Sequence, residues 1–118
     1  MSIISIVKVI TDLMSRGKKL WFDVDGTIVQ IGNRNKLTEL GEYLRDNHIP
    51  VTCLTVGGHS TETLAELGID ASEVVTVGPA MIQGLYDPDA ESKTIPDDEY
   101  LIDDQDHPLS KNVIKYKE

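Results

Sequence analysis

A chain of 118 residues, 40% hydrophobic and 26% charged, fits one globular domain over 1–118 with one modest core and leaves no room for a second. Its net charge of -9 excludes generic binding to nucleic-acid backbones, which needs basic patches, although a bound cation would invert the local field for a small anionic substrate. No stretch approaches the roughly 20 apolar residues of a membrane span. The apolar start lacks a signal peptide's positive n-region and a lone cysteine builds no disulfide framework, so the expected setting is cytoplasmic.

Ile3, Ile6, Val7, Ile10, Leu13 and Met14 recur at spacings of three and four, with Ser5, Lys8, Asp12 and Ser15 opposite. That pattern predicts an amphipathic helix, stopped by Gly17. A short strand follows from Lys19 to Asp23. Gly32, Asn33 and Asn35 mark 27–35 as a turn or hairpin. Leu37, Leu40 and Leu44 predict a helix over 36–47. A second strand runs from Ile49 to Thr55, is broken by Gly57-Gly58, and gives way to a helix over 61–67 that Ser60 caps and Gly68 ends. A third strand covers 72–77, and a short helix is expected at 80–85. The acidic loop 87–99 leads to a fourth strand at 99–103. The tail reads either as a short helix or as a fifth strand around 112–116. Cys53, inside an apolar strand, reads as a core hydrophobe.

Short apolar strands alternating with helices predict a three-layer α/β fold: a Rossmann-like parallel sheet of four or five strands with helices on both faces. In such sheets ligands bind outside the carboxyl ends of the strands. The residues expected there are Asp23 and Asp25 after the first strand and Thr55, Val56 and Gly57 after the second. Asp103 and Asp104 follow the fourth, with Lys93 shortly before it. Carboxylates brought together repel one another unless a cation neutralises them, and an oxygen-only set suits Mg²⁺. An ionised aspartate is a competent nucleophile toward phosphorus, a second carboxylate can serve as general acid and base, and a lysine, a hydroxyl and main-chain N–H groups can hold phosphoryl oxygens. Gly26 would let the backbone turn sharply after the first strand. His59, after the glycine pair, reads as an exposed loop histidine, with a substrate contact as the sharper alternative.

The segment 23–27 (DVDGT), the strand ending in Thr55, Lys93, and 101–104 (LIDD) resemble, in order, the four motifs of the haloacid dehalogenase-like superfamily of phosphatases. The stretch 93–105 is similar to the corresponding segment of 5′(3′)-deoxyribonucleotidases, with the same spacing from Lys93 to Asp103. The resemblance implies an uncapped Mg²⁺-dependent phosphohydrolase that cleaves a phosphate monoester through an aspartyl-phosphate. It implies Asp23 as nucleophile and metal ligand, and Asp25 as general acid/base with its carbonyl on the metal. Asp103 and Asp104 would be the further metal ligands, and Thr55, Val56, Gly57 and Lys93 the phosphate-binding set. Those nucleotidases carry a helical cap between the first two motifs. Here a helix and a strand already occupy that span, and Gln105 stands where they often have arginine. The expected substrate is a small phosphorylated molecule, a nucleotide, or an exposed phosphate on a macromolecule such as a nucleic-acid end. A second copy of the chain is the other partner to expect. The competing expectation is a catalytically weak binding or regulatory protein of the same fold. A receiver domain fits less well, because its lysine follows its acidic residues.

Overall fold

The computed structural model describes residues 1–77, 95–105 and 110–117. Its first element is helix α1 (Ile3–Ser15). The Ser2 hydroxyl caps it by accepting the Ser5 N–H, and Ile6, Ile10 and Leu13 fall on its buried face. Met14, expected on that stripe, is exposed instead. It stands about 100° round the helix from Leu13, past the edge of the buried face.

Strand β1 (Leu20–Asp23) is the centre of the sheet. One tight helical turn follows, in which the N–H groups of Thr27, Ile28 and Val29 all reach the Val24 carbonyl. The expected hairpin then forms from β2 (Val29–Gln30) and β3 (Asn33–Leu37). Leu37, expected to open the next helix, closes β3 opposite Val29. The cause is Thr38. Its hydroxyl accepts the Gly41 N–H at 3.0 Å and fixes the start of α2 (Glu39–Asp46) beyond Leu37.

The chain continues through β4 (Val51–Thr55), α3 (Thr61–Glu66), β5 (Ala71–Thr76), β6 (Tyr100–Asp103) and β7 (Val113–Lys115). Ser60 caps α3 through a reciprocal pair with Thr63. The tail is a strand: Val113 and Ile114 pair with Leu101 and Ile102, and Tyr116 is buried against the core. The short helix expected at 80–85 lies outside the described residues.

Five strands form one parallel sheet in the order β5-β4-β1-β6-β7, a Rossmann-like α/β arrangement flanked by helices. Alternate side chains serve opposite faces. Phe22, Cys53 and Ile102 pack with Ile6 and Ile10 of α1, Leu40 and Leu44 of α2, and Leu64 of α3. Trp21, Leu54 and Leu101 pack on the other side with Val77 and Ile95. Chain order explains the division. From β1 to β4 to β5 the chain steps in one direction, so right-handed crossovers put α2 and α3 on one face. Strand β6 lies on the other side of β1, and Val77 and Ile95, which follow β5 and precede β6 among the described residues, pack on the opposite face.

Cys53 is fully buried, and burial with the nearby Asp23 charge pushes its thiol up to about 12, in keeping with an unreactive core residue. The hairpin, α2 and β4 fill the span from Asp25 to Thr55, so no cap domain is inserted there. Among the described residues no helix is long and apolar enough to cross a membrane.

Candidate active site at the switch point of the sheet

Strand order reverses at β1: the chain leaves it toward β4, and later returns to β6 on its other side. In doubly wound sheets the crevice at such a point is where ligands sit. Asp23 ends β1 and Asp103 ends β6, and Phe22 pairs with Ile102 one rung below. The ladder therefore brings two residues 80 positions apart to adjacent strand ends.

Asp103 is fixed from two sides. Its carbonyl accepts the Tyr116 N–H at 2.8 Å, and its carboxylate accepts the Gln105 N–H at 3.1 Å. Asp104 follows at the rim. Each of Asp23, Asp103 and Asp104 offers a carboxylate oxygen, and these oxygens lie within 4.8 Å of one another. Asp104 comes this close to the turn after β1 because residue 26 is glycine. A Cβ on Gly26 would stand 2.6 Å from Asp104 Oδ2, and the backbone there has a φ of +87°.

Such crowding has an electrostatic cost. Burial, together with the charges of Asp103, Asp104 and Asp25, pushes Asp23 up from 3.8 to about 8. Burial and a hydrogen bond that the protonated Asp103 carboxyl donates to Asp104 push Asp103 up to about 7. Two carboxyl groups at the ends of the central strands therefore resist ionisation in the protein alone.

Asp25 stands apart from these three. Its carboxylate accepts from His59 Nε2 at 3.0 Å on Oδ1, and Arg34 Nη2 stands 3.8 Å from Oδ2. The Asp25 side chain is 36% exposed, whereas the His59 side chain is only 3% exposed. His59 is thus not the exposed loop histidine its glycine-rich surroundings suggested. The loop after β4 folds back over the turn after β1 and buries the ring against it. Arg34, in the hairpin, also donates to the carbonyls of Gly57 and Gly58 at 3.2 and 3.4 Å. Nothing in the local sequence singles out Arg34, because the carbonyls it donates to lie more than 20 positions further along the chain. Three segments, the turn after β1, the hairpin and the loop after β4, are tied together at this point.

A cleft of about 320 Å³ opens over the strand ends, lined by Asp23, Asp25, Ile31, Val56, Asp103, Asp104 and Gln105. Val56, expected to contact substrate, is on its wall and exposed. Thr55 is buried at the end of β4, where its hydroxyl accepts the Gly57 N–H at 3.2 Å and donates to the Gly57 carbonyl. These two expected phosphate contacts are engaged with each other. Lys93 lies outside the described residues. Ile31, contributed by the hairpin, and Gln105 join the cleft without having been expected there.

Fold and crevice together define a small Rossmann-like α/β protein with an acidic site at its switch point. No protein-family model, no curated protein and no solved structure matches the chain.

Proposed function

We propose that this protein is a divalent-metal-dependent phosphohydrolase that transfers a phosphoryl group from a monoester to Asp23 and then to water. The observation that carries the reading is the convergence of Asp23, Asp103 and Asp104 within 4.8 Å, at the end of a rigid central strand pair.

The donor set fits Mg²⁺. It is all carboxylate oxygen, the hard-ligand chemistry this ion prefers. Oxygens bound at about 2.1 Å to one octahedral ion lie at most about 4.2 Å apart, so small side-chain adjustments suffice. Asp23, Asp103 and Asp104 would hold it. Bound there, the ion would neutralise the carboxylates and polarise a phosphoryl oxygen.

The chain's own residues have distinct tasks in this reading. Asp23, ionised once its repulsion is relieved, attacks phosphorus and forms the P–O bond of an aspartyl-phosphate. Asp25, at the more exposed edge of the cleft, gives its proton to the departing alkoxide oxygen as the ester P–O bond breaks. It then takes a proton from the water that attacks the aspartyl-phosphate, which releases phosphate and restores Asp23. Val56 and Ile31 wall the cleft on the leaving-group side. With no cap between Asp25 and Thr55, the cleft stays open to a nucleotide or to a phosphate on a larger molecule.

The test is a phosphate-ester screen with Mg²⁺ that includes deoxynucleoside monophosphates, 3′-phosphorylated DNA ends and phosphopeptides. Turnover that is abolished by Asp23→Asn and by EDTA supports the reading. Absence of turnover across the whole panel rejects it.

A further inference from the structure

We infer that His59 is a positioning residue for Asp25, holding one carboxylate oxygen so that the other is presented to the leaving group, and that Arg34 clamps the loop that carries it. The inference rests on the phosphohydrolase reading and extends it to residues outside the acidic cluster.

The geometry is asymmetric in a telling way. The His59 side chain is 3% exposed and the Asp25 side chain 36%. The ring is immobilised by its surroundings, while the carboxylate it holds remains reachable from the cleft. His59 Nε2 lies 3.0 Å from Asp25 Oδ1, and in its Nε2–H tautomer the ring donates to that oxygen. Among the described residues Oδ2 has the Arg34 guanidinium at 3.8 Å, beyond hydrogen-bond range. Oδ2 is therefore the oxygen left to face the leaving group, and the His59 bond fixes the direction in which it points. Without it an aspartate at the edge of an open cleft would rotate about two bonds, and misplacement of a proton donor by about 1 Å is enough to cost on the order of 100-fold in rate.

His59 itself has to be held, and the loop that carries it begins with two glycines at positive φ, +141° for Gly57 and +82° for Gly58. Arg34 supplies the restraint by donating to both of their carbonyls. A side chain at residue 58 would collide with that guanidinium. The hairpin thus reaches across the mouth of the site to fasten the loop, and His59 transmits the restraint to Asp25.

Ester chemistry separates this role from a merely structural one. A general acid matters for an alkyl phosphate, whose alkoxide is a poor leaving group, and little for 4-nitrophenyl phosphate, whose phenolate departs unaided. The experiment compares kcat/KM of wild type, His59→Ala, His59→Gln and His59→Asn on 4-nitrophenyl phosphate and on the alkyl ester turned over best in the screen. kcat/KM reports the steps up to loss of the leaving group. His59→Ala is expected to lower the alkyl-ester value at least about tenfold more than the aryl value. His59→Gln, whose amide nitrogen reaches close to the Nε2 position, is expected to recover part of the difference, and His59→Asn, which is shorter, is not. Adding His59→Ala to Asp25→Asn is expected to cost nothing further on the alkyl ester.

Equal losses on both esters, or the same loss with and without the Asp25 carboxylate, overturn the inference and leave the phosphohydrolase reading intact. If His59→Ala does not fold, the Gln and Asn variants decide in the same way. If wild-type protein turns over neither ester with Mg²⁺, the reading itself fails and the positioning role falls with it.

Discussion

Asp23 and Asp103 end adjacent parallel strands, each one residue beyond the Phe22–Ile102 pair. Leu20, Trp21 and Phe22 pair with Tyr100, Leu101 and Ile102, and the two aspartates are the next residues on adjacent parallel strands. Main-chain pairing, more than any side-chain contact, holds the two carboxyl groups together. Their proximity is therefore built into the buried part of the fold, where burial first, then the neighbouring carboxylates around Asp23 and the Asp104 hydrogen bond at Asp103, raise both pKa values.

That arrangement has a consequence for stability in the absence of metal. Between the ordinary 3.8 of an unfolded aspartate and the values of about 8 and about 7 reached here, the folded protein binds protons that the unfolded chain has released. Stability then falls as pH rises through this window. The metal-free protein is expected to melt at a lower temperature at pH 8 than at pH 5. Added Mg²⁺ should raise the melting temperature more at pH 8, where the carboxylates are free to bind it. Calorimetry at the two pH values, with EDTA or with Mg²⁺, checks both statements.

Asp23→Asn removes one of the repelling charges from the end of β1. At pH 8 in EDTA it should stabilise the protein by on the order of 1–3 kcal/mol while abolishing turnover. The same substitution should flatten the pH dependence of the melting temperature. Urea titration of both proteins gives the comparison, and a destabilised variant would contradict the electrostatic account of the crevice.

Gly41 lies where α2 crosses the turn after β1. A Cβ there would run into the Ile28 carbonyl, a main-chain atom that the helical turn holds in place. Gly41→Ala, favourable to helix formation in isolation, should instead cost about 2–3 kcal/mol of stability. Gly32→Ala would meet nothing within 4 Å and should cost only about 1 kcal/mol, for its φ of +79°. Denaturant midpoints of the pair test whether contact or conformation dominates.

His48 ends the α2 segment with a φ of +51°, the one non-glycine residue at positive φ among those described. The turn lets the Ile49 N–H reach the Leu44 carbonyl at 3.0 Å and directs the chain into β4. Replacing it with glycine relieves the strain, and His48→Gly is expected to add roughly 0.5–1 kcal/mol of stability. A loss of stability on thermal melting would mean that the imidazole itself contributes at this position.

Much of this was legible in the chain itself, and the reason is locality. Apolar residues at helical spacing located α1, and the Ser60 cap and the glycine stops bounded elements, because these signals act within a few residues. Apolar strands ending in Asp23, Thr55 and Asp103 sufficed to place the aspartates at the carboxyl edge of a parallel sheet, since the fold rule depends only on strand direction. Short-range ambiguity stayed where two local choices were equally good. The tail became β7 only because β6 offered an open edge for Val113 and Ile114 to pair with. Leu37 became a strand residue because Thr38 caps α2 beyond it and Val29 stood opposite. Sequence spacing carries no information about which loop folds over which. Hence the exposure of Met14, the burial of His59 and the reach of Arg34 to Gly57 and Gly58 were decided by tertiary packing. The identity of the acidic residues was written in the chain. The bond from His59 that orients Asp25 arose from long-range contact, for which a linear pattern has no mark.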